Sequence, residues 1–348
     1  MRMKTSWPKS FASERELDEF LSRPSPTLVE EAPQFSGGLL ILGIGGKMGH
    51  TLGRMAKRAL TEAGVRAPVI GVSRFSDANV ERSLQNDGIE TIRCDLTDPT
   101  AVERLPDLPN VVFMAGRKFG SSGGAALTWA INAYVPGVVA DRFRKSRILV
   151  FSTGNVYPFV PVDSGGACEA TQLAPVGEYA QSCLGRERVF EHFSATRHVA
   201  TMIARLNYAV ELRYGVLVDI AEALWQGRPV DVSMSHVNVI WQGDACGMML
   251  RSLLLASSPA EVLNVTGPEA LSVRHAAELL SERLGRPLRF VGMESETALL
   301  ANCDKAGRLL GRPAVDVDQM VNWIAEWVQI GGRTLGKPTH FAEREGRF

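Results

Sequence analysis

Gly38-Leu39-Leu40-Ile41-Leu42-Gly43-Ile44-Gly45-Gly46-Lys47-Met48-Gly49 is the stretch that decides the fold. A short apolar run bounded by glycines reads as a strand buried on both faces. It ends in Gly-x-x-Gly-x-x-Gly at Gly43, Gly46 and Gly49, and a helix-compatible run follows at once. In such a setting the first glycine allows a tight turn and the second lets the backbone approach a pyrophosphate. The third permits close helix packing, and the helix N-terminus favours negative charge. Gly45, Lys47 and Met48 share this turn and are expected to touch the same dinucleotide. A glycine-rich surface loop is the plainer alternative.

Outward from this turn, five more apolar runs follow: PVIGVS (68–73), IETIRC (89–94), NVVFMAG (110–116), RILVFST (147–153) and VATMIAR (199–205). Lys47 to Ala63, Ala125 to Arg144 and Gly177 to Ser194 have the length and periodicity of crossover helices. The fold class expected is α/β, a Rossmann-type doubly wound parallel sheet with a smaller C-terminal α/β substrate cap. Residues 1–36 read as an N-terminal arm, in which Ser13 and Glu16 suggest a capping box for a short helix through Phe20 and Leu21, stopped by Pro24 and Pro26. The dinucleotide-binding part covers 37–207 with about 236–265. The cap covers 208–235 and 266–330, with helices at Val273 to Leu284 and Val317 to Val328. A tail, 331–348, carries no mark tied to chemistry, and a dimer contact is one role open to it.

Composition narrows the function classes. The 348 residues contain 38 acidic and 38 basic side chains, which gives no general attraction to nucleic acid or an acidic membrane. The five cysteines, Cys94, Cys168, Cys183, Cys246 and Cys303, are scattered and lack a CxxC pair, so neither a disulfide framework nor structural zinc is expected. The six histidines show no metal-ligand spacing, and no metal is expected. There is no signal-like h-region and no run of 18 apolar residues; a cytoplasmic setting is the expectation.

Where NAD sites usually place an acid, the second strand ends Val72-Ser73-Arg74-Phe75. A hydroxyl and an arginine there suit a 2′-phosphate, so NADP is the cofactor expected to be preferred, with NAD also open. A solvent-facing arginine is the competing reading. The third strand ends Cys94-Asp95-Leu96, where Asp95 is placed to accept from an adenine amino group and Asp98 to cap the next helix. Together these features resemble the extended short-chain dehydrogenase/reductase family, also called the NAD-dependent epimerase/dehydratase family, over about residues 38 to 285. Ala115-Gly116 then matches the small residues that end the family's fourth strand. The resemblance places Lys118 of AGRKFG against the cofactor and Asn132 of WAINAYVPG at the centre of the fourth helix.

The same resemblance supplies a catalytic set. Ser152-Thr153-Gly154-Asn155-Val156-Tyr157 is similar to the family's Ser/Thr-rich strand end, and counting back from Tyr157 puts Thr153 in the catalytic hydroxyl position beside Ser152. Gly154-Asn155 replaces the acid pair of the dehydrating members, which disfavours a 4,6-dehydratase. Tyr179 follows in Tyr-Ala-Gln-Ser-Cys, where the family has Tyr-x-x-x-Lys. The resemblance makes Tyr179 the acid/base of hydride transfer. Cys183, in the lysine's place near the nicotinamide ribose, offers neither three donors nor a positive charge. Arg117, Lys118 and Arg186 are candidate replacements; Lys118 is preferred because it should already lie near the cofactor, whereas Arg186 lies about 10 Å farther along the helix.

On the substrate side, Arg205-Leu206-Asn207-Tyr208 begins like the family's sixth-strand motif and then departs from it. Asn155, Asn207, Tyr208, Arg117 and Arg213 are candidate substrate contacts, with Tyr214 beside them. The reading is an NAD(P)-dependent oxidoreductase acting on a hydroxyl or ketone of a sugar or sugar-like small molecule. Two alternatives stay open: a sugar epimerase working through a transient ketone, and a dinucleotide-binding sensor or scaffold that lost catalysis with its lysine.

Overall fold

The computed structural model describes residues 7–118 and 123–347. All six apolar runs form strands: β1 (Leu39–Leu42), β2 (Val69–Ser73), β3 (Glu90–Arg93), β4 (Asn110–Phe113), β5 (Arg147–Thr153) and β6 (Thr201–Leu206). A seventh, β7 (Glu261–Val265), follows much later in the chain. The sheet runs β7-β6-β5-β4-β1-β2-β3 and is parallel throughout. Every residue of β1 and β4 is buried, as expected for central strands covered on both faces, whereas edge strand β3 is open at Glu90 and Arg93. Strand order reverses between β1 and β4, so a crevice opens at their carboxyl ends.

Crossover helices occupy the expected spans at Gly49–Glu62 and Gly177–Arg197. The span after β4 is one helical rod from Ala125 to Arg142 with a π-turn over Ala130–Tyr134. That wide turn carries Asn132, and such turns recur at functional sites.

A second apolar core lies beyond the carboxyl edge of the sheet and is built on helices Val216–Trp225, Val273–Leu284 and Val317–Gln329. The arm is part of both cores. Ser13 caps helix Glu14–Leu21, whose Leu17 and Leu21 are fully buried in the cap, where Phe20 packs edge-on against Trp323 at 5.3 Å. The Glu16 carboxylate accepts from Ala12 N rather than closing a reciprocal box on Ser13. Pro26 is not only a stop: it opens helix Pro26–Glu31 behind the Ser25 cap, because proline suits a first turn whose N–H has no helical partner. From there Leu28, Ala32 and Phe35 join the core against the sheet.

Asp244 Oδ2 accepts from Ala314 N and Val315 N at 2.9 Å each, tying down a distant loop. The tail packs on its own chain, where Thr339 and Phe341 are buried. No described helix is long and apolar enough to cross a membrane. Because the arm fills the cap core, Leu17→Ala is expected to lower unfolding stability by about 2–5 kcal/mol in urea titration, as for other buried leucines. A change below about 0.5 kcal/mol, the range of surface substitutions, would show the arm to be an appendage.

Candidate active site

The chain leaves β1 through Gly43 at φ +93, where a Cβ would sit 2.6 Å from Ala115 N on the neighbouring β4 end. At Gly49 a Cβ would fall 1.9 Å from Ile44 O. Both positions therefore exclude side chains, as the spacing predicts. Gly46 differs, because a Cβ there meets nothing nearer than 3.4 Å; its bareness serves the outer side of the turn, where Gly45 and Gly46 are exposed and the Lys47 stem is open while its amine is covered by the Tyr214 ring. Ser73 lies directly behind Gly45, Arg74 and Asp95 stand exposed at the ends of β2 and β3, and Leu96 is buried beside them. Asp95 accepts from Thr97 N at 3.0 Å and Thr97 Oγ1 at 2.8 Å, which holds its carboxyl below the usual range, and the Arg74 charge adds to this. Exposed Gly116 closes the trough at the end of β4. A bare, backbone-lined trough at a helix N-terminus fits the diphosphate of a dinucleotide.

At the inner end of this trough, the first turn of helix Gly177–Arg197 brings Tyr179 to the same cavity as Thr153 at the end of β5. Thr153 Oγ1 accepts from Asn155 N at 3.2 Å, and that bond fixes the hydroxyl. The cavity is about 220 Å3, and its other walls include Lys47, Met48, Lys118, Asn207, Tyr208 and Tyr214. Burial pushes the Tyr179 phenol well above its ordinary pKa and Cys183 pushes it further, against the opposing effects of Arg186 and Thr153. The phenol is thus protonated at neutral pH.

Lys118 and Arg186 act on the Cys183 position, and Lys47 also lines the cavity. Lys118 Nζ lies 5.8 Å from the Tyr179 ring centre and donates to Thr339 O at 3.3 Å; burial lowers its pKa to about 8. Lys47 Nζ sits 3.3 Å from the centre of the Tyr214 ring, where burial of the amine lowers it to about 7 against the pull of Glu211. Arg186 is nearer than its place along the helix suggests, because helical side chains lean toward the N-terminus. Its guanidinium donates to Phe151 O at 2.6 Å and Asn132 Oδ1 at 2.8 Å, and its charge favours the ionised forms of both Tyr179 and Cys183.

Several predicted contacts turn out to position others. Ser152 gives its hydroxyl to Glu187 Oε1 at 2.5 Å, so it holds β5 to the helix instead of standing beside Thr153 as a reactive group. Asn132 is fully buried: its amide accepts from Arg117 N at 2.9 Å and donates to Arg117 O and Ser182 Oγ at 3.0 Å each, which shapes the β4 end without facing a ligand. Cys183 has no exposed surface, and burial pushes its thiol up. Arg213 faces away from the cavity, its guanidinium engaged by Glu211 at 3.1 Å, Asp18 at 2.8 Å and Glu14 at 3.2 Å. Asn155, Asn207 and Tyr208 do line the cavity.

The sequence reading missed Glu187, Asp219 and Thr339. Glu187 is fully buried against Arg205, with contacts from 2.7 to 3.2 Å. Asp219 was detectable as an acid inside the apolar helix run VLVDIAEALW. Glu187→Ala is expected to cost about 3–5 kcal/mol in denaturant unfolding, because it strands a buried guanidinium. Tyr179→Phe, which removes one hydroxyl, should cost under about 1.5 kcal/mol. Equal losses in the two variants would contradict this assignment of roles.

Residues 39–210 match the family described as the NAD dependent epimerase/dehydratase family. No curated protein matches the chain. Among solved structures, Pal from Bacillus thuringiensis is 17% identical with TM-score 0.70, covering 84% of this chain and 99% of its own. UDP-glucuronic acid 4-epimerase from Bacillus cereus, in complex with NAD, is 18% identical with the same TM-score and the same coverage. UDP-glucose 4-epimerase from Thermotoga maritima, with UDP-glucose, is also 18% identical at TM-score 0.70, again covering 84% and 99%. At such identities the likeness establishes the fold. The stretch that matches the NAD-dependent epimerase/dehydratase family, residues 39–210, carries the glycine turn and six of the seven parallel strands.

Proposed function

We propose that the protein is a pyridine-dinucleotide-dependent oxidoreductase acting on a hydroxyl or ketone of a sugar-like molecule, with Tyr179 as acid/base and Thr153 orienting the reacting oxygen. The observation that carries this reading is that Tyr179 and Thr153 line one cavity, which opens on the glycine turn. When bound, the nicotinamide supplies or takes up the hydride. The chain's own residues manage the proton and the charge. In the reducing direction the protonated Tyr179 gives its proton to the forming alkoxide while Thr153 donates to the same oxygen. Lys118 and Arg186 then stabilise the phenolate from the cleft side and the buried side.

The diphosphate falls to the backbone of Gly45 to Met48, with Lys47 and Lys118 adding charge along the trough. Ser73 and Arg74 at the end of β2 support a preference for NADP over NAD. Epimerisation is the second reading, favoured by the epimerases that share the fold; an epimerase returns its hydride and consumes no net cofactor. A sensor is the third, since Cys183 stands where the family has lysine.

Tyr179→Phe should reduce hydride transfer to or from labelled cofactor by at least about 100-fold with an unchanged cofactor Kd. Undiminished transfer would remove Tyr179 from the chemistry, and no transfer in the unaltered protein would favour the sensor. Arg74→Ala should narrow the NADP-over-NAD affinity ratio by about tenfold, the scale of one charge-assisted bond. Comparable NAD and NADP Kd values in the unaltered protein would end the NADP assignment. An adjacent diphosphate favours the charged amines, so binding takes up protons, and affinity should fall as pH rises through the range of Lys47, about 7, and Lys118, about 8. Calorimetry in buffers of different ionisation heat reads the uptake, and a pH-independent Kd from pH 6 to 9 would contradict it.

A further inference from the structure

The tail that the sequence left without a role forms a wall of the cavity. Thr339 N and Oγ1 donate to Asp219 Oδ2 at 2.8 and 2.5 Å, and Thr339 O takes the Lys118 amine. On either side the tail is fastened to the cap. Thr334 Oγ1 donates to Glu222 at 2.7 Å, Phe341 is buried in the cap core, and Arg344 donates to Thr297 O at 2.8 Å and Thr297 Oγ1 at 2.7 Å. Further on, Gly346 lies so close to Gly177 that a Cβ on either would come within 2.4 Å of backbone. This is a built segment, with anchors before and after the point where it crosses the cavity.

Its course limits what fits beside Tyr179. Past Asn155 and Tyr208, tail residues Glu343 and Gly346 leave a hollow of only about 20 Å3. The cavity itself, about 220 Å3, lies below the roughly 300–1,000 Å3 of ordinary ligand sites, and it must also admit a nicotinamide. Charge points the same way. Among the described residues lining the cavity, the cations are Lys47 and Lys118, both beside the trough, while Arg213 is engaged by the arm. Among the described lining residues, no further cation faces a second diphosphate.

We propose that the segment from Thr334 to Gly346 is a fixed, specificity-determining wall that confines the site to a compact, unactivated hydroxy or oxo compound of sugar size and excludes sugar nucleotides. This deepens the oxidoreductase reading and rests on it.

The test titrates UDP-glucose into the full chain saturated with NADP, with hydrogen exchange followed at the tail. A first titration with NADP alone reads the cofactor site, so its failure is the failure of the oxidoreductase reading and is seen separately. Expected for the full chain is no UDP-glucose binding below millimolar concentration and an unchanged, protected Thr339 amide. Micromolar binding of UDP-glucose overturns the proposal, whether or not the tail loses protection. A chain ending at Gly336 that keeps its NADP affinity should gain at least about tenfold in UDP-glucose affinity. If that chain does not fold, the double variant Asp219→Asn with Thr339→Val releases the tail at the cavity and carries the same expectation. No gain in the folded variant overturns the proposal.

Discussion

The buried pair Glu187–Arg205 is the interaction on which the site's geometry depends. Glu187 has no exposed surface and Arg205 has 3%, so each charge must be satisfied inside the protein. The requirement links four elements. Glu187 lies on the helix that carries Tyr179, Arg205 on β6, and Ser152 on β5 adds its hydroxyl. Arg205 Nη1 also meets Tyr157 OH at 2.8 Å, and Tyr157 in turn donates to Asn264 on β7 at 2.8 Å. Because Ser152 precedes Thr153 and Glu187 lies two turns beyond Tyr179, satisfying this one ion pair sets the distance between the two hydroxyls.

A second polar knot does the same for the cofactor side. Asn132 binds both the N–H and the carbonyl of Arg117, which fixes the loop after β4 just beyond the residues that face Gly43. Arg186 braces that amide and also places its charge beneath Tyr179. One cation thus approaches Tyr179 from its own helix and another, Lys118, from the β4 loop. Arm and tail complete the enclosure, since the arm joins the cap core to the sheet core and the tail crosses the cavity.

Local physics made much of this legible in the sequence. Short apolar runs, helix-length spacers and glycine spacing depend on near neighbours, so six strands and the Gly43–Gly49 turn follow from them, while Thr153 and Tyr179 were singled out by the family resemblance. The failures are non-local. Arg213 looked free for substrate because its partners, Glu14 and Asp18, lie about two hundred positions earlier. Ser152 and Asn132 looked like contacts because burial of a polar group has no periodic signature, and the tail looked idle because Asp219 and Thr297 meet it only in three dimensions. Arg186 was set too far away by counting helical rise, which ignores the reach and lean of a long side chain.

The central claim is that one cleft holds both the dinucleotide and the reacting oxygen. A cofactor-bound crystal structure tests it most directly through the position of the nicotinamide. The account predicts the ring stacked beside Tyr179 and Thr153 with Lys118 or Arg186 as the nearest cation to its ribose. A nicotinamide outside the cavity, with no cation near its ribose, would contradict it.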